Sequence, residues 1–107
     1  MGFCIIYTTH PSAQEAKRIS DIIVDEKLAA CSNTFPITSS YWWQKQIEHD
    51  SEWVSILKTI PEHWEALQQR ILELHPYQVP CIIKIDVEAN EGYEKWVKDS
   101  VKEPVTH

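Results

Sequence analysis

Few residues of this chain have types and spacing that could do chemistry. His75 and Tyr77 flank Pro76, and an imidazole beside a phenol at a helix end can line a ligand cleft or offer a metal ligand. The same position suits a plainer task, in which His75 closes the last helix carbonyls or answers the helix dipole. Tyr77 likewise reads as packing with a bonded hydroxyl or as a ligand contact. Glu52 and Lys58 fall on one strand face. At strand rise they stand about 20 Å apart, too far to form an acid–base pair within one chain. Each is therefore solvated or meets another subunit. Lys58 adjoins the end of the first strand, which makes it a cleft candidate.

The remaining donors are scattered. His10, His49 and His63 have no Cys or His at ligand spacing and read as surface residues. His49 with Glu48, Asp50 and Glu52 forms an acidic cluster that could collect a hard or borderline divalent ion loosely, although a solvated loop explains it as well. Cys4, Cys31 and Cys81 read as small buried hydrophobes. Gly2 and Gly92 are the only glycines, which excludes a glycine-rich phosphate loop. The sequence holds no zinc-finger spacing, no H-E-x-x-H pattern and no defensible Ser-His-Asp arrangement, so it supports no enzyme activity.

Composition narrows the function classes. A chain of 107 residues with 43% hydrophobic content is one globular domain, spanning residues 1–107. The net charge of −6 disfavours nucleic acid, because phosphate neutralisation needs a basic footprint. Three cysteines without a C-x-x-C suit a reducing compartment better than a disulfide framework. The start of the chain has no basic region or cleavage site and reads as a strand, and no apolar run approaches a membrane span.

The elements that must position these residues follow from periodicity. Phe3 to Thr8 is a buried strand. Ser12 to Glu15 is a capping box, and Ala16, Ile19, Ile22 and Ile23 continue it as a helix to about Lys27. Ala30 to Thr59 then reads as two long strands folded back on each other. The first limb, Ala30 to Trp43, would run roughly 45 Å at ~3.3 Å per residue. A compact domain of this length is only about 35 Å across. One end of the ribbon must therefore project, carrying Tyr41, Trp42, Trp43, Ile47 and Trp53. Phe35, Ile37, Tyr41 and Trp43 share one face. Pro36 cannot donate to a ladder and marks a bulge or an unpaired stretch. The turn falls near Gln44 to Gln46.

Thr59 to Glu62 reads as a second capping box, opening a helix with Trp64, Leu67, Ile71 and Leu74 at helical steps, which His75-Pro76 ends. Cys81 to Val87 is a strand, Asn90 caps a last helix with a Tyr93, Trp96, Val97 and Val101 stripe, and the tail from Lys102 reads as frayed. Strand, helix, strand, strand, helix, strand, helix is an α+β, ferredoxin-like βαββαβ sandwich with an extra C-terminal helix and a long β-ribbon. A projecting aromatic ribbon is an exposed edge and an apolar patch together, which predicts a symmetric oligomer with Tyr41, Trp42, Trp43 and Trp53 in its interface.

Four motifs in register extend this reading. Glu26 to Cys31 joins the first helix to the ribbon. Ser39, Tyr41 and Trp43 close its first limb. Glu52 followed by Lys58-Thr59 frames the second, and His75-Pro76-Tyr77 with Pro80 closes the second helix. In this order and spacing, from about Phe3 to Val101, they resemble the CutA family of divalent-cation tolerance proteins. The resemblance implies a homotrimer similar in build to PII signalling proteins, with ligand clefts between subunits. It also implies a cytoplasmic role in tolerance to copper and other divalent cations. The candidate cleft residues are then Thr8, Glu52, Lys58, His75 and Tyr77, with His75 the candidate metal ligand and copper or another divalent cation the candidate cofactor.

Two departures stand out. Lys45 sits where the family usually turns its ribbon with Gly, so the turn is expected to differ locally. Thr8 and Leu74 occupy positions where some members offer Cys and His as candidate copper ligands, leaving His75 alone, and one imidazole is a poor soft-metal site. Two rival readings use the same cleft: an enzyme placing His75, Tyr77 and Lys58 on a small anionic substrate, and an assembly protein presenting docking faces.

Overall fold

A computed structural model describes residues 2–104. The chain runs β1 (Phe3–His10), α1 (Ala13–Asp25), β2 (Cys31–Trp43), β3 (Gln46–Thr59), a 3-10 turn (Pro61–His63) leading into α2 (Trp64–Leu74), β4 (Ile82–Val87) and α3 (Glu91–Ser100). The sheet is wholly antiparallel with the order β2-β3-β1-β4, which is the ferredoxin-like arrangement.

Strand alternation divides the work between the two faces. Cys4 and Ile6 of β1 and Leu57 of β3 face the helices, where Ile19 and Ile23 of α1 and Leu67 and Ile71 of α2 complete the core. Phe3 faces the other way and packs with Ile60, Val97 and Val101, so α3 covers one end of that second face. The rest of it stays open, with Ile83 and Ile85 among the exposed apolar residues.

The ribbon behaves as its length requires. β3 pairs with β1 only from Thr59 back to Trp53, which lies opposite His10. From Ile37↔Glu52 to Trp43↔Gln46 the two limbs pair only with each other. This overhang of roughly 24 Å at strand rise gives the molecule a long axis of 43 Å against 29 and 23 Å. It bears Tyr41, Trp42, Trp43 and Ile47 on its surface, and Trp53 sits half-buried at its root.

Several local expectations are corrected. Ser12 caps α1 by accepting from the Glu15 N–H, but the Glu15 carboxylate turns to Arg18. The second capping box does not form: the Thr59 hydroxyl donates to the Leu28 carbonyl at 2.6 Å, and the turn at Pro61 has no side-chain cap. Asn90 takes the N-cap position of α3 without a side-chain bond. Pro36 pairs in register opposite Trp53 with no bulge, because β2 is an edge strand with N–H groups to spare. Gln44 (φ 51°) and Lys45 (φ 67°) form a two-residue, left-handed hairpin turn without glycine. His10 and His63 are buried rather than superficial. Lys102 is tied down, its N–H donating to the Lys27 carbonyl and its own carbonyl accepting from His63 Nε2. The last three residues of the expected frayed tail lie outside the described residues.

Thr59 is fully buried and its hydroxyl answers a buried carbonyl at the helix-to-ribbon junction. Thr59→Val keeps the shape and removes that donor. It should lower the free energy of unfolding by about 1–2 kcal/mol in urea titration; no loss would mean that the bond contributes nothing.

Candidate functional site

Pro76 sets the site's geometry from the backbone outward. A residue preceding proline is pushed out of the helical region. His75 accordingly ends α2 in an extended conformation (φ −80°, ψ 136°). Its ring turns inward to the exit of β1. There Nε2 lies 2.6 Å from the Thr9 carbonyl and Nδ1 lies 3.1 Å from the Tyr77 N–H. A carbonyl only accepts and an N–H only donates, so the two contacts fix the Nε2–H tautomer. Both ring nitrogens are thereby committed to backbone groups, and neither presents a lone pair to a metal ion. His75 does close the end of α2, but through its backbone N–H, which donates to the Ile71 carbonyl at 2.9 Å, while Arg18 Nη2 donates to the Leu74 carbonyl at 2.7 Å.

The segment held by His75 carries Tyr77 over the open face of the sheet. Its ring leans on His75 with centroids 4.7 Å apart, and its hydroxyl donates to Glu52 Oε2 at 2.6 Å. Burial, followed by this bond to the Glu52 carboxylate, holds the phenol well above its ordinary pKa. Glu52 is itself buried, the first residue of the overhang. Further out, Tyr41 donates to Asp50, and that bond pushes its phenol up to about 12. The ribbon, Tyr7 and Thr9 of β1, and the segment after His75 enclose a groove of about 840 Å³. Glu52 lies in this groove with the aromatic side chains of Tyr7, Tyr41, Trp43 and Tyr77.

Of the five cleft candidates, the fold brings three together: Glu52, His75 and Tyr77. Thr8 points to the helix side, fully buried, and its hydroxyl has no partner among the described residues. Lys58 lies opposite Ile5 and Cys31, at the other end of the sheet from Glu52. Among the described residues no group of three or more His, Cys, Asp or Glu is placed to hold a metal ion. The expected acidic cluster is drawn out along the ribbon, with His49 bonded to Ser40.

His10 was hidden from the motif reading. It is fully buried, stacks on His75 at 5.3 Å with rings 20° apart, and places Nε2 2.9 Å from Ser55 Oγ. Carrying the alternation Cys4, Ile6, Thr8 one step further would have placed it on the core face. Burial and the adjacent His75 lower its pKa from 6.5 to about 4.

Known proteins resemble this chain in sequence and fold over most of its length. Residues 4–100 match the family described as CutA1 divalent ion tolerance protein. A divalent-cation tolerance protein CutA of Pyrococcus horikoshii is 46% identical over 99 residues, 92% of this chain and 97% of that protein. The structure of an Archaeoglobus fulgidus protein described as periplasmic divalent cation tolerance protein CutA superimposes with a TM-score of 0.90 at 37% identity, covering 94% of this chain and 99% of that one. A PII-like protein CutA from Nostoc sp. PCC 7120 in apo form does so with a TM-score of 0.87 at 31% identity, covering 92% and 97%.

The buried imidazole of His10 makes the fold sensitive to acid. Its folded-state pKa lies below the unfolded value, so between pH 6.5 and about 4 the unfolded chain binds the proton that the folded chain refuses. Stability from this group is complete above pH 6.5 and falls with pH through that window, by up to about 3 kcal/mol. Urea midpoints measured from pH 7 to 4 should fall more steeply for the native chain than for His10→Gln; parallel curves would remove His10 as the cause.

Proposed function

The chain belongs to the CutA1 divalent ion tolerance protein family, and from that premise we propose that it acts in divalent-cation tolerance as a homotrimer with ligand clefts between its subunits. The observation that carries this reading is the overhang. Its edge strand β2 is unpaired on one side, Trp42 is 72% exposed and Ile47 55%, and Tyr41 and Trp43 face the groove side. An exposed aromatic edge of this size is a surface that a second copy covers. Closed symmetry lets each ribbon lie on its neighbour, with Trp42, Tyr41 and Trp43 in the contact and Trp53 at its root.

The ligand site of this reading is the groove, with Glu52 and Tyr77 contacting the ligand and His75 positioning Tyr77. Thr8 and Lys58 drop out as groove residues of the same subunit, and Lys58 retains a place only across a subunit boundary. His75 is not a metal ligand in this reading. Copper or another divalent cation acts through donors other than its ring. The family's relatives are named for tolerance rather than for a reaction, which favours a binding protein over an enzyme. No described helix is long and apolar enough to cross a membrane, and the acidic surface disfavours nucleic acid. Three free cysteines support a reducing compartment, the cytoplasm.

Native mass measurement at micromolar concentration tests the assembly. Three times the 12.5 kDa subunit mass is expected, and Trp43→Glu should shift it toward single subunits by placing a charge in the contact. A stable monomer would overturn the reading. Copper titration tests the role of His75: uptake by His75→Gln should equal that of the native chain, and a loss confined to the variant would restore the imidazole as a ligand.

A further inference from the structure

We propose that Glu52 finds its counter-ion in Lys58 of the partner subunit, so that the cleft site is built from two copies of the chain. This rests on the trimer reading above and names the residue that a neighbouring copy contributes. Register defines the face concerned, because directly opposed residues of a sheet share a face. From Lys58↔Ile5 through Val54↔Thr9 to Glu52↔Ile37, the open face carries uncharged residues on all four strands except at its two ends. Lys58 stands at one end and Glu52 at the other. They are about 20 Å apart at strand rise, beyond the reach of both side chains. Neither belongs to an ion pair among the described residues. Glu52 is 8% exposed, and its one protein partner among them is the Tyr77 hydroxyl on Oε2, which leaves Oε1 for an ammonium.

The span between the two charges is what a second copy covers, since Phe35, Ile83 and Ile85 lie exposed on it. Covering it withdraws both charges from water, and a charge so withdrawn is costly unless an opposite one meets it. The same face of another copy carries that opposite charge at its far end. A ring of three uses a heterologous contact, in which one patch of each subunit meets a different patch of the next. The Lys58 end and the Glu52 end are two such patches, opposite in sign and far enough apart to meet two different neighbours. Glu48 and Asp50 alternate with Glu52 on the same strand face. The acidic end therefore attracts an ammonium and repels a second acidic end, which sets the direction in which the copies follow one another. Three identical pairs close the ring, and each forms a site that no single subunit contains.

A carbodiimide joins an ammonium to a carboxylate in contact with it as an amide, taking up the water released and leaving no spacer. Applied to the intact native oligomer, it should give a Lys58–Glu52 amide in a species of twice the 12.5 kDa subunit mass. The separation along β3 excludes that link within one chain. A Lys58 link to another carboxylate in its place would overturn the proposal. Lys58→Met and Glu52→Gln should each raise the concentration at which half the trimer dissociates by about ten-fold or more, and the double variant should be no weaker than the weaker single one. No change in either variant, or effects that multiply in the double variant, would also overturn it. If a variant fails to fold, the cross-link on the native chain decides alone, and its absence sinks the pairing. Native mass on the same samples separates the two readings: a monomeric native chain defeats the trimer itself, whereas an intact trimer with neither the link nor the coupling defeats only this pair.

Discussion

The structure depends on a mismatch in strand length. β1 ends at His10, opposite Trp53, while β2 and β3 continue together past that point. Inside the overlap α1 and α2 cover one face of the sheet over a core that includes Ile, Leu and Cys side chains, and α3 covers one end of the other face. Beyond it the ribbon has no third strand and no helix above it, so its aromatic residues are left for another surface to cover. The groove sits at this boundary because it is where the fold stops supplying neighbours. Glu52 is the first residue past β1, and Tyr77 comes from the segment that must cross the same gap between α2 and β4.

That crossing is held by a short chain of causes. Pro76 forbids helix at His75, the extended backbone turns the imidazole to the exit of β1, and the Thr9 carbonyl captures Nε2. The other nitrogen then holds the Tyr77 N–H, which aims the phenol at Glu52. His75 thus spends its whole hydrogen-bonding capacity on placing Tyr77. The imidazole thereby sets the position of the phenol while offering neither ring nitrogen to the groove.

The fold was largely legible in the sequence because its signals are local and repeated. The two long β-patterned runs, the Ser12 cap, the helical spacing of α2 and the His75-Pro76 stop each point to one element, and their order selects a ferredoxin-like sheet. The failures have physical reasons. Thr59 looked like a helix cap, but a buried carbonyl at Leu28 competed for its hydroxyl and won. Pro36 looked like a bulge because sequence does not say which strand forms the edge. Glu52, His75 and Tyr77 were visible as candidates, yet their convergence was not, since strand rise along one limb says nothing about a segment arriving from α2. Thr8 was placed by motif position, and the pleat sends it to the helix side; Lys58 was expected beside the end of β1, and the register instead sets it opposite Ile5, near the start of that strand.

The helix side and the open side of the sheet are not independent. Ser20 of α1 lies 2.8 Å from Ser32 Oγ and 3.2 Å from Ser55 Oγ, and Ser55 bonds His10. His10 in turn stacks on His75. A buried polar seam therefore runs from the middle of α1 through β3 and β1 to the residue that positions Tyr77. Groups in such a seam have few alternative partners, because leaving any of them unpaired costs more than in water. His10 Nδ1 and the Thr8 hydroxyl, which have no partner among the described residues, mark where the seam is least satisfied. His75, which positions Tyr77 on the open face, is thus in contact with side chains packed on the closed one.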